Sequence, residues 1–231
     1  MKLRDNIEII DLGLIVDNVL IIADIHIGYE EEMNKKGFLV PRFLLGDLKK
    51  RLKKILSQWE KKRRYNSSES KKRIIIINGD LKHEFGTISR QEWKETLEII
   101  DFLGSYCDKI ILIKGNHDTI LGPIAGKRNL ELVDNLLIGN TLVIHGNKLP
   151  NMKSLPKKVD TIVIGHDHPC VGLCEGNRVE KYKCFLKGKW KRKTLIVQPS
   201  LNLLTPGTNV LSENLLSPFL NSIDNFEVYV V

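Results

Sequence analysis

The six histidines of this chain, His26, His83, His117, His145, His166 and His168, each follow an apolar run of strand length within a few residues. Strands of an open α/β sheet deliver functional groups at their carboxyl ends, so residues in those positions meet at one edge. The neighbours of the histidines carry matching chemistry. Asp24-x-His26 sets a carboxylate and an imidazole two apart on extended chain, where alternate side chains share a face and can grip one ion. Gly79-Asp80 follows a run of isoleucines; the glycine permits a tight turn, and the aspartate offers two oxygens able to bridge two metals. Gly115-Asn116-His117-Asp118 combines a neutral oxygen ligand, a proton donor and a carboxylate able to orient that donor. His145-Gly146 and Gly165-His166-Asp167-His168 complete the set. Gly-Asp-Leu-Lys occurs twice, at Gly46 and Gly79; the first copy precedes a helical pattern, so Asp47 reads as a helix N-cap and only Asp80 as a ligand.

The elements that must position these residues are legible as apolar runs at 18–23, 73–77, 109–113, 140–144, 160–164 and 194–197, continuous enough for strands buried on both faces. Between them, residues 47–59 place Leu48, Leu52, Ile55, Leu56 and Trp59 on one helical stripe. Residues 89–103 repeat the device with Trp93, Leu97, Ile100 and Leu103. Residues 60–72, charged and Ser-rich without apolar period, read as a mobile basic loop that either is solvated or touches a polyanion. Residues 175–192 read as a basic hairpin-like insertion in which Tyr182, Phe185 and Trp190 interleave with lysines, either packing inward or stacking bases. Residues 225–231 read as a closing strand.

With 231 residues, 42% hydrophobic and 28% charged, the composition is that of a folded soluble chain and excludes global disorder. A single domain over 1–231 is the expectation. No apolar run is long enough to span a bilayer and the N-terminus lacks a signal-like core, so no membrane role and a cytoplasmic location are expected. Four cysteines are too few to staple a chain of this length; Cys170, Cys174 and Cys184 make a poor zinc set because they lack a paired CxxC. A net charge of +8 favours an acidic partner such as nucleic acid.

Taken in order over roughly residues 18–200, the five histidine-bearing segments resemble the calcineurin-like metallophosphoesterases. Ala23-Asp24-Ile25-His26-Ile27-Gly28-Tyr29-Glu30 and Gly79-Asp80-Leu81-Lys82-His83 are similar to the first two motifs of the Mre11/SbcD nuclease branch, with His83 the telling position. The resemblance implies an α/β fold, a four-layer α/β/β/α sandwich of two mixed sheets flanked by helices. It implies two divalent metal ions, with Mn favoured over Fe, Zn, Ni or Co. Asp24, His26, Asp80 and His168 would hold one ion, and Asp80, Asn116, His145 and His166 the other. His117 would contact the phosphate and protonate the leaving oxygen, with Asp118 fixing its tautomer. His83, Lys183, Lys187 and Arg192 are expected on the substrate, a nucleic acid or another phosphodiester. Mre11-type nucleases continue into a capping domain and an ATPase-docking segment, which the short stretch after residue 200 does not accommodate; a homodimer stays open. The competing expectations are a small-molecule phosphatase or cyclic-nucleotide phosphodiesterase, and a scaffold of the same fold that has lost catalysis; the filled ligand positions speak against the scaffold.

Overall fold

A computed structural model describes every residue except 41–42, 66–70, 85–87, 119–120, 129, 152–154, 177 and 222–223. The first of two mixed sheets contains β1 (Lys2–Arg4), β2 (Ile7–Ile10), β3 (Gly13–Val16), β4 (Val19–Ala23), β5 (Ile74–Asn78), β6 (Lys109–Ile113) and β7 (Glu131–Val133), in that spatial order. β1 to β4 are antiparallel hairpins, whose turns use Asp11 and Asp17 at φ 56°, a conformation that aspartate tolerates. β4 to β7 are parallel. Their crossovers carry α1 (Tyr29–Lys35), α2 (Leu44–Tyr65), α3 (Arg90–Gly104) and α4 (Gly122–Arg128). The second sheet contains β8 (Asn135–Ile138), β9 (Thr141–Ile144), β10 (Thr161–Ile164), β11 (Pro169–Glu175), β12 (Arg178–Trp190), β13 (Lys193–Val197), β14 (Thr208–Asn209) and β15 (Asp224–Val230). Its spatial order is β14-β11-β12-β13-β10-β9-β8, with β15 added to β12 and β9, β10 and β13 parallel.

The strands read as unbroken apolar runs because each has a packed layer on both sides. In β5, Ile75 and Ile77 face the helices while Ile76 faces the second sheet; Leu20, Ile22 and Ile21 of β4 divide the same way. In β10 and β13, Val163 and Ile196 point between the sheets, and Ile162, Ile164, Leu195 and Val197 point outward. That outer face is covered by Val159, Leu215, Phe219 and Leu220 from irregular segments, and all four described helices belong to crossovers of the first sheet. No helix among the described residues is long and apolar enough to cross a membrane.

Helix α2 corrects the reading of residues 60–72. It runs to Tyr65, so residues 60–65 of the charged stretch are helical; residues 66–70 lie outside the described residues, and Lys71 and Lys72 are not helical. Lysine, arginine and glutamate are strong helix formers, and the buried stripe continues through Arg63, whose guanidinium lies 5.4 Å from the Trp59 ring centroid. The helix also begins earlier than expected, so Asp47 is not the N-cap but sits in the first turn, paired with Lys50 at 2.9 Å. α3 begins as expected, Ser89 Oγ accepting the Glu92 N–H at 3.0 Å. Leu52, fully buried between α2 and the first sheet, anchors this layer. Leu52→Ala is expected to lower stability by about 2–5 kcal/mol in urea unfolding, with ion binding intact in the folded fraction.

The basic aromatic stretch forms the 13-residue strand β12, paired with β11 over residues 178–183 and with β13 and β15 over its second half. Phe185 is buried between the sheets and Trp190 packs on Phe219 with ring centroids 4.8 Å apart, leaving Tyr182 as the exposed aromatic. The stretch therefore packs inward and forms no stacking platform. Cys170 and Cys184 are free buried thiols, and burial pushes Cys184 up to about 12.

Candidate metal centre

The parallel strands of both sheets turn their carboxyl ends to one edge. β4 delivers Asp24 and His26, β5 delivers Asp80, and β6 delivers residues 115–118; from the second sheet β9 delivers His145 and β10 delivers His166 and His168. Asp24, His26, Asp80, His166 and His168 all adopt left-handed backbone, with φ 53°, 50°, 44°, 71° and 48°. This conformation costs a non-glycine residue about 1–2 kcal/mol and persists only where surrounding structure over-determines it. Here a ladder of loop hydrogen bonds does so: Asp24 N–H to Gly79 C=O (3.2 Å), His26 N–H to Asp80 C=O (2.9 Å) and Ile27 N–H to Leu81 C=O (3.0 Å).

The segment after β13 locks the two sheets together at the same place. Ser200 Oγ donates to the Asp24 carbonyl at 2.6 Å, and Asn202 Nδ2 donates to the carbonyls of Ile25 (3.2 Å) and His26 (3.3 Å). Neither residue stands out in the sequence. They are fully buried polar side chains, and their pattern has no motif of its own.

The seven expected ligands converge. Asp24, His26 and His168 offer atoms within 4.8 Å of one another, as do Asp80, His145 and His166. Asp80 Oδ2 lies between the groups, 3.4 Å from His145 Nε2 and 3.8 Å from His26 Nε2. Asn116 Oδ1 is 3.0 Å from His145 Nε2, on the second group. His26 Nε2 and His168 Nε2 face each other at 3.2 Å, and His166 Nδ1 faces His145 Nε2 at 3.2 Å. Asp24 Oδ1 and His145 Nδ1 are buried 3.5 Å from each other and make no hydrogen bond among the described residues. Nitrogen lone pairs converging on one another and on carboxylate oxygens fit two divalent cations, and mixed imidazole, carboxylate and amide donors suit first-row transition metals. Space is tight enough that Gly165 is required: a Cβ there would stand 2.5 Å from Asp24 Oδ2.

Burial keeps three of the imidazoles neutral and ready to ligate. It lowers His166, with the charge of His145 adding, to about 4, and His168, with Lys183 adding, to about 3; His26 is likewise well below its ordinary value. His145 is the exception. Burial lowers it, but its hydrogen bond to Asp80 and the charge of Asp24 prevail and hold it at about 9. Without metal, its proton therefore stays on until pH rises past about 9, and a cation must expel it. Titration calorimetry in buffers of differing ionisation enthalpy is expected to show net proton release at pH 7.5 as the ions fill, the share from His145 fading above pH 9, so that affinity rises with pH across this window. Equal apparent enthalpies in all buffers at pH 7.5 would contradict it.

His117 lies at the site, but Asp118 does not orient it as expected. His117 lies with His26 and His83 inside a third group of ligand atoms within 4.8 Å. Its Nδ1 meets the carbonyl of His83, which takes the orienting position foreseen for Asp118. The Asp118 carboxylate is turned to backbone, accepting from Leu81 N–H (3.1 Å), Lys82 N–H (3.5 Å) and Gly115 N–H (2.9 Å), and so ties the β5 and β6 loops together. Burial, with the charge of Asp80, pushes it up to about 6. Lys82 is fully buried, and its ammonium donates to the carbonyls of Glu84 and His117.

The four expected substrate contacts divide. His83 is at the site, its Nδ1 3.2 Å from His26 Nδ1. Lys183 is beneath it, half-buried, with Nζ donating to the carbonyls of Ser200 (2.8 Å) and Asn202 (2.6 Å); desolvation lowers it to about 8. Lys187 pairs with Glu227 at 3.2 Å. Arg192 lies in the turn between β12 and β13, at the end of β13 remote from the metal edge. The alternation of β12 and its antiparallel run to that turn carry these basic residues away. An open cleft of about 970 Å³ does reach the site, with Asn116 and His145 in its wall and Lys114, Asn147 and Lys148 along it.

The family model of the calcineurin-like phosphoesterases matches residues 18–170. Among solved structures, nuclease MPE from Pseudomonas putida is 18% identical, covering 96% of this chain and 92% of that one, with a TM-score of 0.61. A protein of unknown function from Aquifex aeolicus is also 18% identical, covering 65% of this chain and 78% of that one, with a TM-score of 0.37. Vps29 from Entamoeba histolytica, complexed with zinc, is 14% identical over 92% of this chain and 97% of that one, with a TM-score of 0.34. No curated protein matches the sequence. At this identity the likeness to MPE is one of fold.

Proposed function

The chain belongs to the calcineurin-like phosphoesterase family, a metal-dependent phosphoester hydrolase, and we propose that it cuts the phosphodiester backbone of nucleic acid as a relative of the Mre11/SbcD branch. The observation that carries this reading is the Asp80 carboxylate standing between two groups of ligand atoms, 3.4 and 3.8 Å from a histidine of each. Three features support nucleic acid as substrate. The net charge is +8, the cleft beside His145 is lined by Lys114 and Lys148, and the protein sharing this fold over 96% of the chain is a nuclease.

In this reading Asp24, His26, Asp80 and His168 hold one divalent ion and Asp80, Asn116, His145 and His166 the other, with manganese the first choice. When bound, the pair polarises phosphoryl oxygens and lowers the pKa of a water. The protein's own residues do the rest. His117 keeps its Nδ1 proton on the His83 carbonyl, which leaves Nε2 as the atom that hands a proton to the leaving oxygen. Asp118 and Lys82 hold the loop that presents it. Ser200 and Asn202 fix the backbone of Asp24 and His26, so the ligands do not have to be gathered on binding.

The test is hydrolysis by metal-stripped protein, with Mn²⁺ restored, of end-labelled single- and double-stranded DNA beside a chromogenic phosphodiester and its monoester. Cleavage of DNA dependent on added Mn²⁺ is expected. Turnover of the small esters alone would overturn the nucleic-acid assignment in favour of a small-molecule esterase.

A further inference from the structure

Helix α1 presents Tyr29 and Glu32 to one side of His83: the Tyr29 ring packs edge-on at 4.9 Å between centroids, and the Glu32 carboxylate pairs with His83 Nε2. On its other side His83 Nδ1 meets His26 Nδ1 at 3.2 Å. His26 in turn directs Nε2 into the group formed with Asp24 and His168. Proton bookkeeping along this line has one solution. A cation on His26 Nε2 needs the lone pair there, so the His26 proton is on Nδ1 and donates to His83 Nδ1. His83 must then accept at Nδ1 and carry its own proton on Nε2, where the carboxylate of Glu32 accepts it. The His83 backbone is independently fixed, its N–H donating to Ile27 C=O and Glu92 Oε1, both at 2.9 Å.

We propose that Glu32 is a positioning residue for the metal centre, acting through His83 to hold His26 in the tautomer and ring orientation that ligates. The inference rests on the reading of His26 as a ligand. A carboxylate behind a ligating histidine raises its basicity and fixes its tautomer, and losing such a partner commonly lowers metal affinity about 10–100-fold. Here the carboxylate works one imidazole further back.

The experiment is Co²⁺ titration of metal-stripped parent, Glu32→Ala, Glu32→Gln and Lys36→Met proteins, followed by visible absorption. Glu32→Ala removes the acceptor and is expected to weaken one of the two ions about 10–100-fold and alter its absorption band, the other ion staying within about threefold. Glu32→Gln keeps a carbonyl oxygen for the same proton and is expected to restore most of the affinity. Lys36→Met, which removes only the lysine paired with Glu32 on the helix surface, is expected to bind like the parent. Parental affinity in Glu32→Ala would overturn the proposal. So would equal weakening in Glu32→Gln or Lys36→Met, which would show that the surface of the helix matters and the acceptor does not. Failure of the parent itself to take up Co²⁺ would overturn the reading of the metal centre along with it.

Discussion

Asp80→Asn is expected to weaken binding of both ions as a unit. The asparagine is nearly isosteric and still accepts the His117 N–H now held at 2.9 Å by Asp80 Oδ1, so the loop stays in place. What disappears is the charge. Asp80 is almost fully buried, and the hydrogen bond and charge of His145 hold its carboxyl below the ordinary range against the opposing effect of burial. Removing one partner of a buried charge pair costs about 3–5 kcal/mol, or about 10²–10⁴-fold in an equilibrium constant. Because Asp80 lies between the two ligand groups, both ions are expected to weaken together and turnover at fixed metal to fall by at least the same factor. Loss of a single ion, with the other at parental affinity, would show that Asp80 serves one site only.

His117→Ala is expected to do the reverse: both ions bind within about twofold of the parent while turnover drops about 10²–10⁴-fold, the usual contribution of a positioned proton donor. The deficit should shrink with a substrate whose leaving group needs no proton, because the substituted step is protonation of the leaving oxygen. The third group of converging atoms, His26, His83 and His117, makes this a real choice. An equal loss of metal in His117→Ala would assign His117 to the ligands.

Much of this was legible in the sequence because burial on both faces leaves a plain trace. Ile74–Asn78 and Thr161–Ile164 read as strands since each has a packed layer above and below, and the ligands follow such runs. The α2 extension was missed because lysines and arginines flanking Trp59 carry no apolar period, although they favour helix and Arg63 covers the indole. Asp118 illustrates a different limit. A carboxylate next to a histidine suggests a dyad, but its direction depends on which unpaired N–H groups the neighbouring loop presents, and here Leu81 and Gly115 claim it. Ser200, Asn202 and Lys183 act through carbonyl groups of distant segments, a contact that leaves no pattern in composition or spacing. The left-handed backbone of Asp24, His26, Asp80, His166 and His168 is equally invisible, since it is imposed by hydrogen bonds across the sheet edge and none of these residues is glycine.

The most direct test of the central claim, that two ions share this edge through Asp80, is Mn²⁺ titration of the metal-stripped protein followed by electron paramagnetic resonance. Two equivalents taken up per chain, with the isolated-ion signal of the first giving way to a spin-coupled signal as the second binds, is the predicted result. One equivalent, or two whose signals stay those of separate ions, would contradict a shared carboxylate and with it the dinuclear centre.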